Sequence, residues 1–496
     1  NDVIRINDEF NRKDGKIDIE HVKPVVCILA AGLGSRLGIL SKTSHKSLLP
    51  INQKAILNTI IDRFDNDHDI IIAVGYLKEQ VKEYINIYYP DKNIKFVDVN
   101  PYEGEGSGTA YSTKCCKNFL QRPFYWTVCD NYINDEIQNL NLTNKNWISI
   151  KDTNCPELYS TIDVIDDKVI DIKNKCTKGY SKAFTGIFYM HDYKLFWNQM
   201  EKNVDSKESI IDVFKNIQLF NFEPKQISLE DMGTSDLYNN LVKTYESKYL
   251  HLHKTKYEHK YKKDNIFIKA GETKKIDKLF LRSEHLEKYI PKLIFKGNYF
   301  FTYEYFKGKT LYELDDKTTY LKFFEWYEKE FCNNLDNNLN ITSICTSFYK
   351  EKTLTRLNLL KKRAYFSKLD NINKINGKTV INIDSYLEKL DWDDLTNGIP
   401  TKKFHGDLQF DNIISNNNEF KLIDWREDFG GSTEYGDLYY DIAKLNGGMI
   451  LNYLKMKNSK NYSCSIKGNV AFIENYKDTI LENIMNNEFL LFLKKY

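Results

Sequence analysis

Residues 27–51 read CILAAGLGSRLGILSKTSHKSLLPI. An apolar run beginning at Val25 ends in a loop of small residues, Ala31, Gly32, Gly34 and Ser35, with Arg36 beside them and Lys46 further on. A loop so bare of side chains lets backbone N–H groups approach a ligand closely, and two cations next to it favour an anion. The stretch therefore reads as a buried strand feeding a loop that cradles a polyphosphate.

Outward from this loop the chain alternates. VVCILAAG at 25–32 and HDIIIAVGY at 68–76 have the continuous apolar character of buried strands, and NIKFVDVN at 93–100 reads as a third. Between them, KAILNTIIDRF and KEQVKEYINIYY carry a helical period. Such alternation predicts a doubly wound parallel sheet that binds its ligand at the carboxyl ends of the strands, where the first loop lies. From Glu230 to Asn265 the sequence turns basic, aromatic and helical, which places a domain boundary near Ser247. After it come strand-like NIFIKAG and YFFTYEYF, then helix-rich sequence, then the polar stretch FHGDLQFDNIISNNNEFKLIDW at 404–425. The expected organisation is an N-terminal extension at 1–22, an α/β domain at 23–247 and a second domain at 248–496.

Composition narrows the classes. A chain of 496 residues, 42% hydrophobic, has room for two ordinary cores. With 71 Lys and Arg against 69 Asp and Glu, the net charge of +2 points to neither nucleic acid nor an anionic membrane. Phosphate recognition must then be local. The nine cysteines show no paired spacing of a zinc or redox site and suit a reducing cytoplasm. No apolar run has membrane-spanning length, and the charged opening NDVIRINDEFNRKDGKIDIEHVK does not read as a secretory signal.

Further pieces complete the first constellation. GEGSGTAYS at 104–112 is a second small-residue loop opening a helix, where backbone could read a base edge; FYWTVCDNYI ends a strand on Asp130; AFTGIFYM carries Gly186; and LEDMGTSDLY carries Asp231. In this order the region from Val25 to Ser247 resembles the nucleotidyltransferases that make nucleoside-diphosphate sugars and CDP-alcohols, with their LAAGxGxRL loop and following lysine. The resemblance implies that Ala31, Gly32, Gly34, Ser35 and Arg36 hold the triphosphate and that Lys46 acts near the α-phosphate. It further implies that Gly108 and Thr109 flank the base, that Asp130 and Asp231 hold Mg²⁺, and that Lys175 and Gly186 lie at the acceptor. Two departures stand out: His45 occupies the position of a proline before the lysine, and Asn174-Lys175-Cys176 replaces an E-K-P motif.

The second constellation lies in HGDLQFDN and KLIDW. Asp407, Asn412 five residues later and Asp424 at the end of the next strand offer a compact oxygen cage suited to phosphoryl transfer. Asp407 would take the proton of a hydroxyl, while Asn412 and Asp424 would hold Mg²⁺ on ATP. The motifs resemble those of the aminoglycoside phosphotransferase and choline kinase family, whose protein-kinase-like α+β fold is thereby implied. EYGDLYYDIAKL matches the family's next segment, with Asp437 and Asp441 bracing the loop. In the small lobe, Lys269 of NIFIKAG would touch the ATP phosphates with Glu284 as its helical partner, although no glycine-rich loop precedes it.

The combined expectation is a cytoplasmic bifunctional enzyme. Its C-terminal domain would phosphorylate a small sugar or polyol with ATP. Its Rossmann-like N-terminal domain would transfer NMP from a second NTP, CTP or UTP by preference, to give an activated precursor of a surface glycan. The alternative acceptor is a choline-like or ethanolamine-like alcohol.

Overall fold

The structure is a computed structural model describing residues 23–133, 144–175, 177–203, 209–227, 229–245, 259–333, 335, 339–456, 462–475 and 478–495. The expected extension at 1–22 lies outside these residues. The chain divides into two compact units, Asn1–Glu246 and Ser247–Tyr496.

In the first unit, β1 (Val25–Ala30) is buried along its whole length, as a strand covered on both faces must be. It pairs in parallel with β2 (Ile70–Val74) on one side and with β4 (Phe124–Val128) on the other, and β2 pairs in parallel with β3 (Ile94–Asp98). Helices α1 (Ile56–Ile61), α2 (Lys78–Tyr88) and α3 (Thr109–Cys115) fall between these strands in the chain. The strand order 3-2-1-4 reverses direction at β1, so the loop after β1 opens at the switch point where such sheets bind ligands. Beyond β4 the sheet is not doubly wound. Long strand β6 (Lys182–Met190) runs antiparallel to β4, and further strands extend a nine-stranded mixed sheet. The expected parallel pairing holds for β1, β2 and β3, but β6 departs from it: Ile187 stands opposite Thr127 and Met190 opposite Phe124, so β6 runs against β4. Two short strands leave the main sheet and pair with each other, β5 (Asn131–Ile133) and β7 (Leu229–Asp231).

The second unit opens with a four-stranded antiparallel sheet of β8 (His259–Lys263), β9 (Ile266–Ala270), β10 (Leu293–Lys296) and β11 (Phe300–Glu304), in the order β8-β9-β11-β10. The helical character expected across 230–265 thus gives way to a strand at 259–263. Helix α4 (Thr273–Leu286) buries Ile276, Leu279, Ser283 and Leu286. A larger helical part follows, including α5 (Lys317–Phe331) and α6 (Leu438–Ile450), and between them the hairpin of β12 (Ile413–Asn416) and β13 (Glu419–Leu422). One core joins these parts, with Phe301 and Tyr303 of the sheet in the same cluster as Phe324, Phe410 and Leu445. Among the described residues no helix is long and apolar enough to cross a membrane.

Candidate functional site

The glycine loop is built around Lys46. Gly34 sits at φ 66°, where a side chain is strained, and a Cβ there would come within 3.1 Å of the Lys46 Cβ. Glycine is thus required twice over. Its carbonyl accepts from Leu37 N at 2.9 Å and from Ser41 Oγ at 3.0 Å, closing a turn that leaves Ser35 and Arg36 exposed. A Cβ on Gly32 would meet nothing within 4 Å, which leaves open space beside the backbone. Ala31 is buried and anchors the loop, its carbonyl accepting from Tyr76 N at 2.9 Å.

His45 explains its own departure from proline. It holds φ −61°, the angle a proline ring imposes, and its N–H donates to Gln80 Oε1 at 2.8 Å, a bond proline cannot make. The ring is fully buried against Ser47 Oγ, and burial with the Lys46 charge pushes its pKa down to about 3, so it is neutral. Lys46 Nζ lies 2.8 Å from Asp130 Oδ2, with both side chains 16% exposed. Burial would lower the Lys46 pKa, but Asp130 more than offsets it and holds the ammonium above its ordinary value. Burial likewise works against the Asp130 carboxylate, and Lys46 with Arg36 keeps it below the usual range. Both groups are therefore charged at neutral pH.

Asp130 and Asp231, far apart in sequence, become neighbours through the β5–β7 ladder. Asp231 stands opposite Asn131, and Met232 N donates to the Asp130 carbonyl at 3.1 Å. Asp231 Oδ1 accepts from Gly233 N at 2.7 Å. A Cβ on Gly233 would lie 2.9 Å from Arg36 Nη2 and 3.0 Å from Asp231 Oδ1, so the loop arginine and the second aspartate both border Gly233. Gly186, at φ 89°, lies under the same place: a Cβ would come 3.0 Å from Val128 Cγ2 and 3.1 Å from Asn131 Nδ2, and that amide donates to the Thr185 carbonyl at 2.8 Å. Gly108 precedes α3, and Thr109 Oγ1 accepts from Ile210 N at 2.9 Å, tying the 210 segment to the second loop. Lys175 is exposed past the strand Lys168–Lys173, and among the described residues no hydrogen bond or ion pair ties it to the others. Asp130 and Asp231, on neighbouring stretches of backbone, carry the hard carboxylate oxygens that a divalent ion such as Mg²⁺ takes.

In the second unit the backbone of the HGD loop is clamped. Asp441 of α6 accepts from His405 N and Gly406 N, each at 2.7 Å, and Arg282 of α4 donates to the carbonyls of Lys402, Phe404, Thr433 and Glu434. Asp437 instead caps α6 and holds Ile399 N at 2.9 Å. Gly406 sits at φ 82°, and a Cβ there would collide with Phe404 at 2.4 Å. His405 is fully buried, its Nε2 3.0 Å from the Ile423 carbonyl, which links the loop to the residue before Asp424. Asp407 remains accessible, with Oδ1 3.0 Å from Lys444 Nζ and Oδ2 3.3 Å from Asn412 Nδ2. Asp424 holds the left-handed φ of 62°, a strain that fits a functional position. It receives Lys269 Nζ at 3.2 Å and, in closer contact, Lys260 Nζ. Asn412 and Asp424 again offer hard oxygens that fit Mg²⁺.

One expectation is corrected. Glu284 is exposed on α4, whose buried stripe is Ile276, Leu279, Ser283 and Leu286, so it faces away from Lys269; the carboxylate that Lys269 meets is Asp424. Lys260, Lys444, Arg282 and the meeting of Arg36 and Asp231 at Gly233 escaped the sequence reading. The spacing Asp441-Lys444, one helical turn, was a usable signal for Lys444; Lys260 had none, since its partner depends on strand register.

The α/β sheet with a glycine loop at its switch point and a lysine on an aspartate defines the class of the first unit, a Rossmann-like nucleotidyltransferase domain: residues 25–217 match the Nucleotidyl transferase family. Within that class the unit resembles sugar-phosphate and choline-phosphate nucleotidyltransferases. The chain is 28% identical over 172 residues to the bifunctional protein GlmU of Methanocaldococcus jannaschii, a match covering 34% of this chain and 40% of that protein. It is 33% identical over 150 residues to the choline-phosphate cytidylyltransferase of Streptococcus pneumoniae, covering 29% and 61% of the two chains. With the D-glycero-alpha-D-manno-heptose 1-phosphate guanylyltransferase of Campylobacter jejuni it shares 29% identity over 167 residues, covering 33% and 74%.

Proposed function

We propose that the chain is a bifunctional transferase: the second unit makes a phosphate ester from ATP and a small alcohol, and the first joins that ester to a nucleoside monophosphate. In the first reaction Asp407 takes the hydroxyl proton, the hydroxyl oxygen bonds to the γ-phosphorus, and ADP leaves. In the second, an oxygen of the phosphate ester bonds to the α-phosphorus of an NTP and the α–β bond breaks to release pyrophosphate. Lys46 meets the charge that builds there, and Arg36 with the loop N–H groups orients the triphosphate. Mg²⁺, held by Asp130 and Asp231 in one unit and by Asn412 and Asp424 in the other, supplies charge neutralisation on the nucleotide phosphates when bound.

The observation that carries this reading is that each compact unit gathers its own cation, carboxylates and glycine-bearing loop. Lys46 meets Asp130 in one, and Lys269 meets Asp424 beside the clamped HGD loop in the other. The acceptor is a sugar or polyol, and the product an NDP-activated glycan precursor made in the cytoplasm from CTP or UTP. A choline-like acceptor is the second reading. It is favoured by the 33% identity to a choline-phosphate cytidylyltransferase and by Tyr159, whose ring already takes a cation, Lys151 Nζ lying 4.9 Å from its centre. The test is mass spectrometry of the intact chain with ATP, each NTP in turn, and a panel of sugars, polyols, choline and ethanolamine. Gain of a phosphate and then of an NMP on one acceptor is expected. No mass gain on any acceptor, or on its pre-made phosphate, would overturn the proposal.

A further inference from the structure

Strands β8 and β9 place Lys260 directly across from Lys269. Both ammonium groups converge on Asp424, and the three side chains are 1%, 5% and 1% exposed. Two lysines held together out of water repel one another and lose hydration, so their convergence needs a reason. Holding Asp424 is one, yet Lys269 already contacts that carboxylate. The glycine content supplies another. From Thr234 to Ala270 the sequence has no glycine. Backbone amides of a glycine-rich loop are therefore not available ahead of Lys269 to cover the phosphates of a nucleotide. The β8–β9 turn itself is made by Asp264, at φ 49°, and Asn265.

We propose that Lys260 is a second phosphate-binding cation of the ATP site, taking the place of a glycine-rich loop by supplying side-chain charge instead of backbone N–H groups. The inference rests on the kinase reading of the second unit. In the free protein Asp424 stands in for the anion; with ATP bound, Lys260 and Lys269 share the negative charge of its polyphosphate.

Photolabelling of the intact chain with 8-azido-ATP and Mg²⁺, competed by ATP and mapped to tryptic peptides, separates the two units. Lys260→Gln keeps a hydrogen-bond donor for Asp424 but carries no charge; Lys260→Arg keeps the charge. The ATP concentration that halves labelling of second-unit peptides should rise on the order of ten- to a hundredfold in Lys260→Gln, the loss of one charge-assisted contact. Lys260→Arg should recover most of it, and labelling of first-unit peptides should not change. Unchanged competition in Lys260→Gln, or a lowered thermal midpoint with unchanged competition, would show that Lys260 only anchors Asp424 and would overturn the inference while leaving the kinase reading standing. Absence of labelling on the wild-type second unit would overturn both.

Discussion

At the scale of single residues, the first site turns on Lys46. Its position is fixed from three sides: Gly34 packs on its stem, the buried neutral His45 sets its backbone, and Asp130 binds its ammonium at 2.8 Å. A cation so placed matters most when charge grows on the α-phosphate. Lys46→Ala should lower the turnover of nucleotidyl transfer by roughly two to three decades, with a much smaller change in nucleotide affinity measured by titration. Wild-type turnover in that variant would mean the pair with Asp130 is structural. These residues were legible because their types and order suffice to suggest phosphate chemistry. Glu284 was misread because assigning it needed the phase of α4, and the apolar stripe Ile276, Leu279, Leu286 contained that phase. Lys260 was illegible, since its burial follows from strand register and from a carboxylate more than a hundred residues away.

At the scale of elements, helix α6 carries the brace of the second site. Burial pushes the Asp441 carboxyl up to about 7, although His405 N and Gly406 N both donate to it. A group whose pKa in the folded chain lies above its unfolded value of 3.8 holds its proton more tightly when folded. Its contribution to stability is therefore complete below pH 3.8 and is lost as pH rises through 7. Asp441→Asn, which cannot ionise, should be less stable than the wild type at pH 5 because it gives up one of the two bonds, and the gap in thermal midpoint should narrow by pH 8. The full swing is on the order of a few kcal/mol. A gap that widens with pH would mean that the Arg282 charge and the two N–H groups favour the ionised form instead. The strand-and-helix alternation of the first unit was legible in its apolar runs. Its antiparallel extension was not, because β6 and β4 carry the same buried pattern either way and only tertiary pairing sets their direction.

At the scale of the whole molecule, the chain holds two compact units, each with its own core and its own polar constellation. The boundary expected near Ser247 came from a shift in composition, whereas the division into units rests on packing. The two chemistries proposed for these units would be consecutive steps, the product of one serving as the substrate of the other. The most direct test is a side-by-side assay of Asp407→Ala, following ATP-dependent phosphorylation of the acceptor and NMP transfer to the pre-made phosphate ester. The expected result is loss of phosphorylation with NMP transfer close to wild type, in a variant whose thermal unfolding matches that of the wild type. Loss of both activities in a folded variant would contradict the presence of two separate sites, and retention of both would contradict the role of Asp407 in the second.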